Sequence, residues 1–144
     1  MHSRIIALNS ETNETEMFEM MHGDADYVID RGLEDDWGFE ILERIGTVDR
    51  KAATFKADAA KVRAQLEVWY DEYLDARLNG FEDFADDRKV YHLRSVLDEI
   101  HGIRVFSDWS GWPDTFHGFV RDLYSHPNLM DKVWEIKCIY DYHF

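Results

Sequence analysis

The sequence predicts a single α+β domain over residues 1–144, in which two long antiparallel helices and several shorter helices pack on a small mixed or antiparallel sheet. Segments with apolar residues at helical spacing alternate with short apolar or alternating runs that are typical of strands. Hydrophobic residues form 45% of the chain and aromatic residues 15%, which is enough for one sizeable core. No repeat, low-complexity tract or linker divides the sequence, so one domain is expected.

The N-terminal third is predicted to contain two strands and two helices. A short apolar run over residues 4–8 favours an opening strand. A capping-box spacing predicts a helix over about residues 14–22, and Asp24 or Asp26 can begin a second helix that runs to about residue 36. Bulky and β-branched residues over 39–48 then favour a strand.

The segment 49–80 carries the clearest pattern of the chain. Apolar residues recur at alternating steps of four and three from Phe55 to Ala76, which predicts one helix of about eight turns, and Tyr70 and Leu74 widen this apolar stripe. Asp49 is a suitable N-cap, and Gly80 accepts the left-handed conformation that closes a helix. Cations crowd the first half and acids the second, so both ends oppose the helix macrodipole. We expect either tertiary partners that neutralise these charges or a functional surface that uses them.

A second long helix is predicted after a short loop. Asp83 or Asp86 can begin it, and Gly102 is placed to end it. Since only a short loop separates the two long helices, they are expected to be antiparallel neighbours.

The last third is predicted to contain two strands around one helix. A brief strand is expected over residues 103–106, followed by a loop over 107–113 that holds two tryptophans. Pro113 suits the first turn of a helix that runs to about residue 124. Apolar and polar residues alternate over 134–142, which predicts a terminal strand with one buried face.

Acidity is the strongest global feature, because 30 Asp and Glu residues outnumber 16 Lys and Arg residues and give a net charge of −14. Such a charge repels nucleic acid and anionic membranes and attracts basic partners, so direct binding of DNA or RNA is not expected. The sequence has no apolar run long enough to span a membrane and no signal-peptide pattern. Cys138 is the single cysteine, so no internal disulfide is expected, and we predict a cytoplasmic protein.

The sequence carries no recognised catalytic or cofactor motif. Zinc-binding, phosphate-binding and nucleophile-elbow patterns are all missing from it. Asp114 with His117 and Asp98 with His101 have the spacing of ligand pairs on a helix, but such pairs arise by chance among thirty acids. No cofactor, metal ligand or catalytic residue is therefore predicted.

The leading hypothesis is a small non-enzymatic binding protein whose acidic face occupies a basic site of a partner protein, one that handles DNA or RNA. An inhibitor of the kind used in phage or mobile-element counter-defence has this composition. Carboxylates at spacings comparable to nucleic-acid phosphates would compete for a basic groove. The acids expected to contact the partner are Asp24, Asp26, Asp30, Glu34, Asp35, Asp36, Glu67, Asp71, Asp75, Glu82, Asp83, Asp86 and Asp87. The competing explanation is an acidic surface that serves only solubility or adaptation to high salt.

Two further functions are compatible with the sequence. A small-molecule enzyme or metal-dependent protein would have its pocket near the loop from Trp109 to Trp112, with Asp114, His117 and His126 as acid–base or metal groups. Against this, the two tryptophans are also expected to fill core space beneath the loop. A homo-oligomeric structural protein, such as a homodimer, would pair two copies of the long helix head to tail so that opposite charge blocks meet.

Overall fold

The computed structural model of this protein describes residues 2–9, 27–30, 33–80, 103–110 and 113–143. Within these residues the fold is α+β, as predicted, and combines a mixed sheet with helices. The strands are β1 His2–Leu8, β2 Tyr27–Asp30, β3 Gly46–Asp49, β4 Thr54–Ala57, β5 Arg104–Ser107, β6 Pro113–Thr115 and β7 Val133–His143. The helices are α1 Asp36–Glu43, α2 Ala59–Gly80, α3 Phe116–Ser125 and α4 Pro127–Met130. No helix in the described ranges has both the length and the apolar character needed to cross a bilayer.

The long terminal strand β7 organises the sheet. The strand order is β3-β4-β7-β1-β5-β6, and β2 also pairs with β7. β4 pairs with the start of β7 and β2 with its end, on the edge opposite β1. The β1–β5 pair is parallel and the other described pairs are antiparallel. The predicted strands over 4–8, 103–106 and 134–142 are confirmed as β1, β5 and β7.

A β-bulge lets β7 bury side chains on both faces of the sheet. Ala7 pairs with Cys138 but Leu8 pairs with Ile136, so Lys137 is the extra residue. Before the bulge Trp134 and Ile136 join the main core, and after it Ile139 does. On the opposite face a second buried cluster consists of Ile5, Ala7, Phe106, Cys138 and Tyr140.

Two element predictions in the N-terminal third were wrong. Residues 27–30, predicted as helix, form β2. Of the strand predicted over 39–48, residues 39–43 belong to α1 and only 46–48 are strand, in β3. The carboxylate of Asp35 accepts the Trp37 N–H at 3.1 Å and begins α1, which overrides the weak strand preference of the bulky residues that follow. A Cβ on Gly38 would lie 2.6 Å from the Ile139 side chain, so this glycine lets α1 pack closely on β7.

The helix predicted over 49–80 begins only at Ala59. The preceding residues form the β3–β4 hairpin, in which Phe55 pairs with Val48 and is fully buried. Asp58 is the residue whose carboxylate caps α2, since it accepts the Lys61 N–H at 3.0 Å. α2 is described as far as Gly80, so the predicted closure of the helix by a left-handed Gly80 stays a prediction.

The hairpin turn uses the residue that was expected to cap the helix. The carboxylate of Asp49 accepts the Ala52 N–H at 3.0 Å, and Ala53 follows with a φ of 53°. The carbonyl of Ala53 accepts the Ile136 N–H at 2.8 Å, which ties the turn to β7. In the turn, as at the start of a helix, the aspartate carboxylate accepts a backbone N–H from a residue that follows it.

Of the other predicted helices, one begins later than expected and two lie outside the described residues. The helix expected from Pro113 begins at Phe116, because Pro113–Thr115 pairs with β5 as β6 and Thr115 caps α3 through the Gly118 N–H at 2.9 Å. The helix predicted over about residues 14–22 and the second long helix ending near residue 102 lie outside the described residues.

Candidate functional site

α2 is held to the rest of the protein by a narrow stripe of side chains. Val62 and Trp69 are buried in the main core, and Leu66 packs against it. These residues follow one another at steps of four and three, which places them on one side of the helix. The remainder of the described helix surface faces outward.

The outward surface of α2 combines acids with exposed apolar side chains. Glu67, Asp71 and Glu72 are exposed. Val68 is 48% exposed and Tyr70 is 61% exposed. We call Glu67, Asp71 and Glu72, with Val68, the acidic face of α2. Asp71 and Glu72 form no ion pair with any other described residue.

The cations that oppose the macrodipole of the predicted helix have other partners in the structure. Lys61 Nζ donates to the carbonyl oxygens of Glu43 at 3.3 Å and Gly46 at 3.1 Å, so it caps the end of α1. Arg63 Nε lies 3.1 Å from Glu67 Oε1, one turn along the helix. Arg50 belongs to the hairpin turn and contacts α1 carboxylates.

Twelve of the thirteen predicted partner-binding acids fall into three groups. Those outside the described residues are Asp24, Asp26, Glu82, Asp83, Asp86 and Asp87. Two have a backbone position only, Asp30 in β2 and Asp75 in α2. Those with described, exposed side chains are Glu34, Asp36, Glu67 and Asp71. Asp35 differs from all of these, because its side chain is largely buried.

Asp35 belongs to a buried ionic cluster between α1 and the sheet. Its carboxylate contacts the guanidinium of Arg4, and Arg4 Nη1 lies 3.2 Å from Asp141 Oδ1. Arg4 and Asp141 are directly opposite each other in the β1–β7 pair. The Arg4 guanidinium also lies 4.6 Å from the centre of the Trp37 ring. Asp35 therefore attaches α1 to the sheet, and its carboxylate is not presented to a partner.

A groove of about 600 Å³ lies between α2 and α3. Its floor is Trp69, which packs edge-on against Phe116 at 5.7 Å between ring centres and contacts His117 at 5.0 Å. The groove is lined by Arg63, Leu66, Glu67, Trp69, Tyr70, His117, Arg121 and Tyr124. We call it the α2–α3 groove.

The residues expected to form an enzyme or metal site near Trp109 make separate contacts. Trp109 is exposed and packs on His126 at 4.8 Å between ring centres, whereas His117 lies in the α2–α3 groove. Asp114 accepts the Thr115 N–H at 2.8 Å at the start of α3. Trp112 lies outside the described residues. Across the described ranges, no three His, Cys, Asp or Glu side chains are grouped as metal ligands would be.

Sequence reasoning missed the α2–α3 groove. Tyr70 was assigned to the buried stripe of the long helix, yet it is among the most exposed aromatic side chains of the described residues. Tyr70 lies one helical turn after Leu66, a spacing that fits both a buried position in the apolar stripe and an exposed position in the wall of the groove. Which role it takes depends on how closely α3 approaches, and no local pattern in α2 contains that information.

Comparisons with protein-family models, with curated proteins and with solved structures gave no match to this chain.

Proposed function

We propose that this protein is a non-enzymatic binding protein that uses the acidic face of α2 to occupy a basic site on a partner that handles DNA or RNA, and thereby inhibits it. The observation that carries the proposal is the exposure of Val68 at 48% among Glu67, Asp71 and Glu72. Val68 offers an apolar contact beside these three acids. Interfaces commonly combine an apolar contact with a charged rim.

Electrostatics supports a basic partner. The net charge of −14 steers a cationic surface toward the protein, which raises the association rate more than the final affinity. Within the described residues Asp71 and Glu72 have no ion pair, so their charge is available to a partner at little cost. Glu67 is less available because Arg63 contacts it.

The remaining predicted acids differ in how available they are for contact with a partner. Glu34 and Asp36 are exposed at the start of α1, although Arg50 contacts Asp36 at 2.6 Å. The acids outside the described residues stay in the proposal as predictions from the sequence. Asp35 leaves it, because reversing a charge that holds Arg4 would test folding and not binding.

The test compares three tagged baits in a lysate of the native host: the wild-type protein, a D71N/E72Q variant and a D131N/E135Q variant. Both variants remove two exposed acids, so they have equal net charge, but Asp131 and Glu135 do not belong to α2. Captured proteins are eluted with a salt gradient and identified by mass spectrometry. We expect the wild-type and D131N/E135Q baits to capture a protein that handles nucleic acid. Added duplex DNA should displace this protein from both baits.

The D71N/E72Q bait should retain several-fold less of that protein. The measured affinity of the complex should also depend less steeply on salt, because fewer charges meet across the interface. Equal retention on all three baits would show that net charge alone attracts the partner. Capture of no basic protein at low salt would contradict the proposal altogether.

A further inference from the structure

We infer that the α2–α3 groove binds a small ligand that combines a planar aromatic ring with an anionic group, of the mononucleotide class. This inference goes beyond the proposed function, and the groove shares only Glu67 with the acidic face of α2. It rests on three observations: the walls of the groove, its charges and its size.

The walls offer flat surfaces for stacking. Tyr70 and Tyr124 line the groove from opposite helices and are 61% and 56% exposed. Trp69 forms a fixed floor between them, since Phe116 and His117 both contact its ring. Aromatic side chains with one free face bind nucleobases by stacking, with little dependence on base identity.

The charges of the groove favour an anion. Arg63 is contacted by Glu67, whereas Arg121 has no ion pair with any described residue and is exposed beside Tyr124. A planar guanidinium binds phosphate through paired hydrogen bonds. An available arginine next to aromatic walls is therefore a local anion site on a protein whose overall charge is −14.

The size of the groove and the overall charge together select a small ligand. A volume of about 600 Å³ lies within the range of about 300–1,000 Å³ that is typical of small-molecule sites. A nucleic acid strand would bring many phosphates against an acidic protein, which is unfavourable. A mononucleotide brings one phosphate group and one ring system, and so matches one arginine and the aromatic walls.

The test is isothermal titration calorimetry with adenosine 5′-monophosphate, adenosine and inorganic phosphate as separate probes. Four proteins are titrated: wild type, Arg121→Gln, Tyr124→Ala and the matched charge control Arg44→Gln. Arg44 is exposed at the end of α1, and the groove does not include it. Arg121 and Tyr124 are exposed, so both groove variants should fold, which unchanged thermal melting verifies.

We expect adenosine 5′-monophosphate to bind wild type and Arg44→Gln equally. Arg121→Gln and Tyr124→Ala should each weaken binding about tenfold, because each loses a charge-assisted or stacking contact. Adenosine and phosphate alone should both bind more weakly than the nucleotide. Three results would overturn the inference: no heat at millimolar nucleotide, equal binding by Arg121→Gln and wild type, or phosphate binding as tight as nucleotide binding.

Discussion

Replacing Arg4 with Met should destabilise the protein by about 3–5 kcal/mol, because the change leaves two buried carboxylates without this cation. The side chains of Arg4, Asp35 and Asp141 are only 13%, 8% and 2% exposed, so water cannot take over the role of the guanidinium. Loss of the contact with Trp37 adds roughly 0.5–1 kcal/mol. Since domains are stable by about 5–15 kcal/mol, this is a large part of the total.

Urea unfolding at neutral pH measures this loss. With a slope of about 1–3 kcal/mol per molar urea, the midpoint should fall by about 2 M. Asp35→Asn should cost less, about 1–2 kcal/mol, because its amide oxygen still accepts the Trp37 N–H.

A surface ion pair in the same chain supplies the control. Arg63 and Glu67 are 72% and 65% exposed, so Arg63→Met should cost only about 0.3–0.5 kcal/mol. A loss below about 1 kcal/mol for Arg4→Met, or equal losses for Arg4→Met and Arg63→Met, would refute the assignment of a buried ionic cluster.

Two local changes test the α2 boundary and the hairpin turn by the same method. Asp58→Ala should cost about 0.5–2 kcal/mol, because the first turn of α2 loses its cap; no loss would place the start of α2 elsewhere. Ala53→Gly should stabilise the protein by roughly 0.5–1 kcal/mol, because a φ of 53° strains alanine and not glycine. Destabilisation by Ala53→Gly would contradict the left-handed turn.

Part of the fold was predictable because some segments have one dominant pattern. In β7 apolar and polar residues alternate from Trp134 to Lys137, and no helix accommodates that period. In α2 the steps of four and three through Val62, Leu66 and Trp69 match only a helix. Local periodicity was sufficient in both segments.

Other segments fit two patterns equally well. Phe55 lies four residues before Ala59 and so extended the predicted helical stripe, but it is buried in β4, where it also pairs with Trp134. Phe39 and Ile41 are residue types typical of strands, but the Asp35 cap and burial against the sheet make them helical. The outcome in these segments depends on partners that are distant in sequence.

The candidate site shows the same division. The sequence indicated the acids of α2 and their exposure, since Glu67 and Asp71 lie opposite the buried stripe. It did not indicate the α2–α3 groove, because Tyr70 from one helix and Tyr124 from another meet only when the helices pack. A groove is a property of two surfaces, and each helix alone specifies only one.

Asp35 and Asp36 are adjacent acids in very different environments. Composition determined the charge of −14, and periodicity determined β7 and the anchored stripe of α2. Asp36 is 80% exposed whereas its neighbour Asp35 is 8% exposed. The difference arises because strand pairing places Arg4 opposite Asp141 and beside the start of α1. Only the tertiary structure brings these charges together, and it therefore decides which acids remain available to a partner.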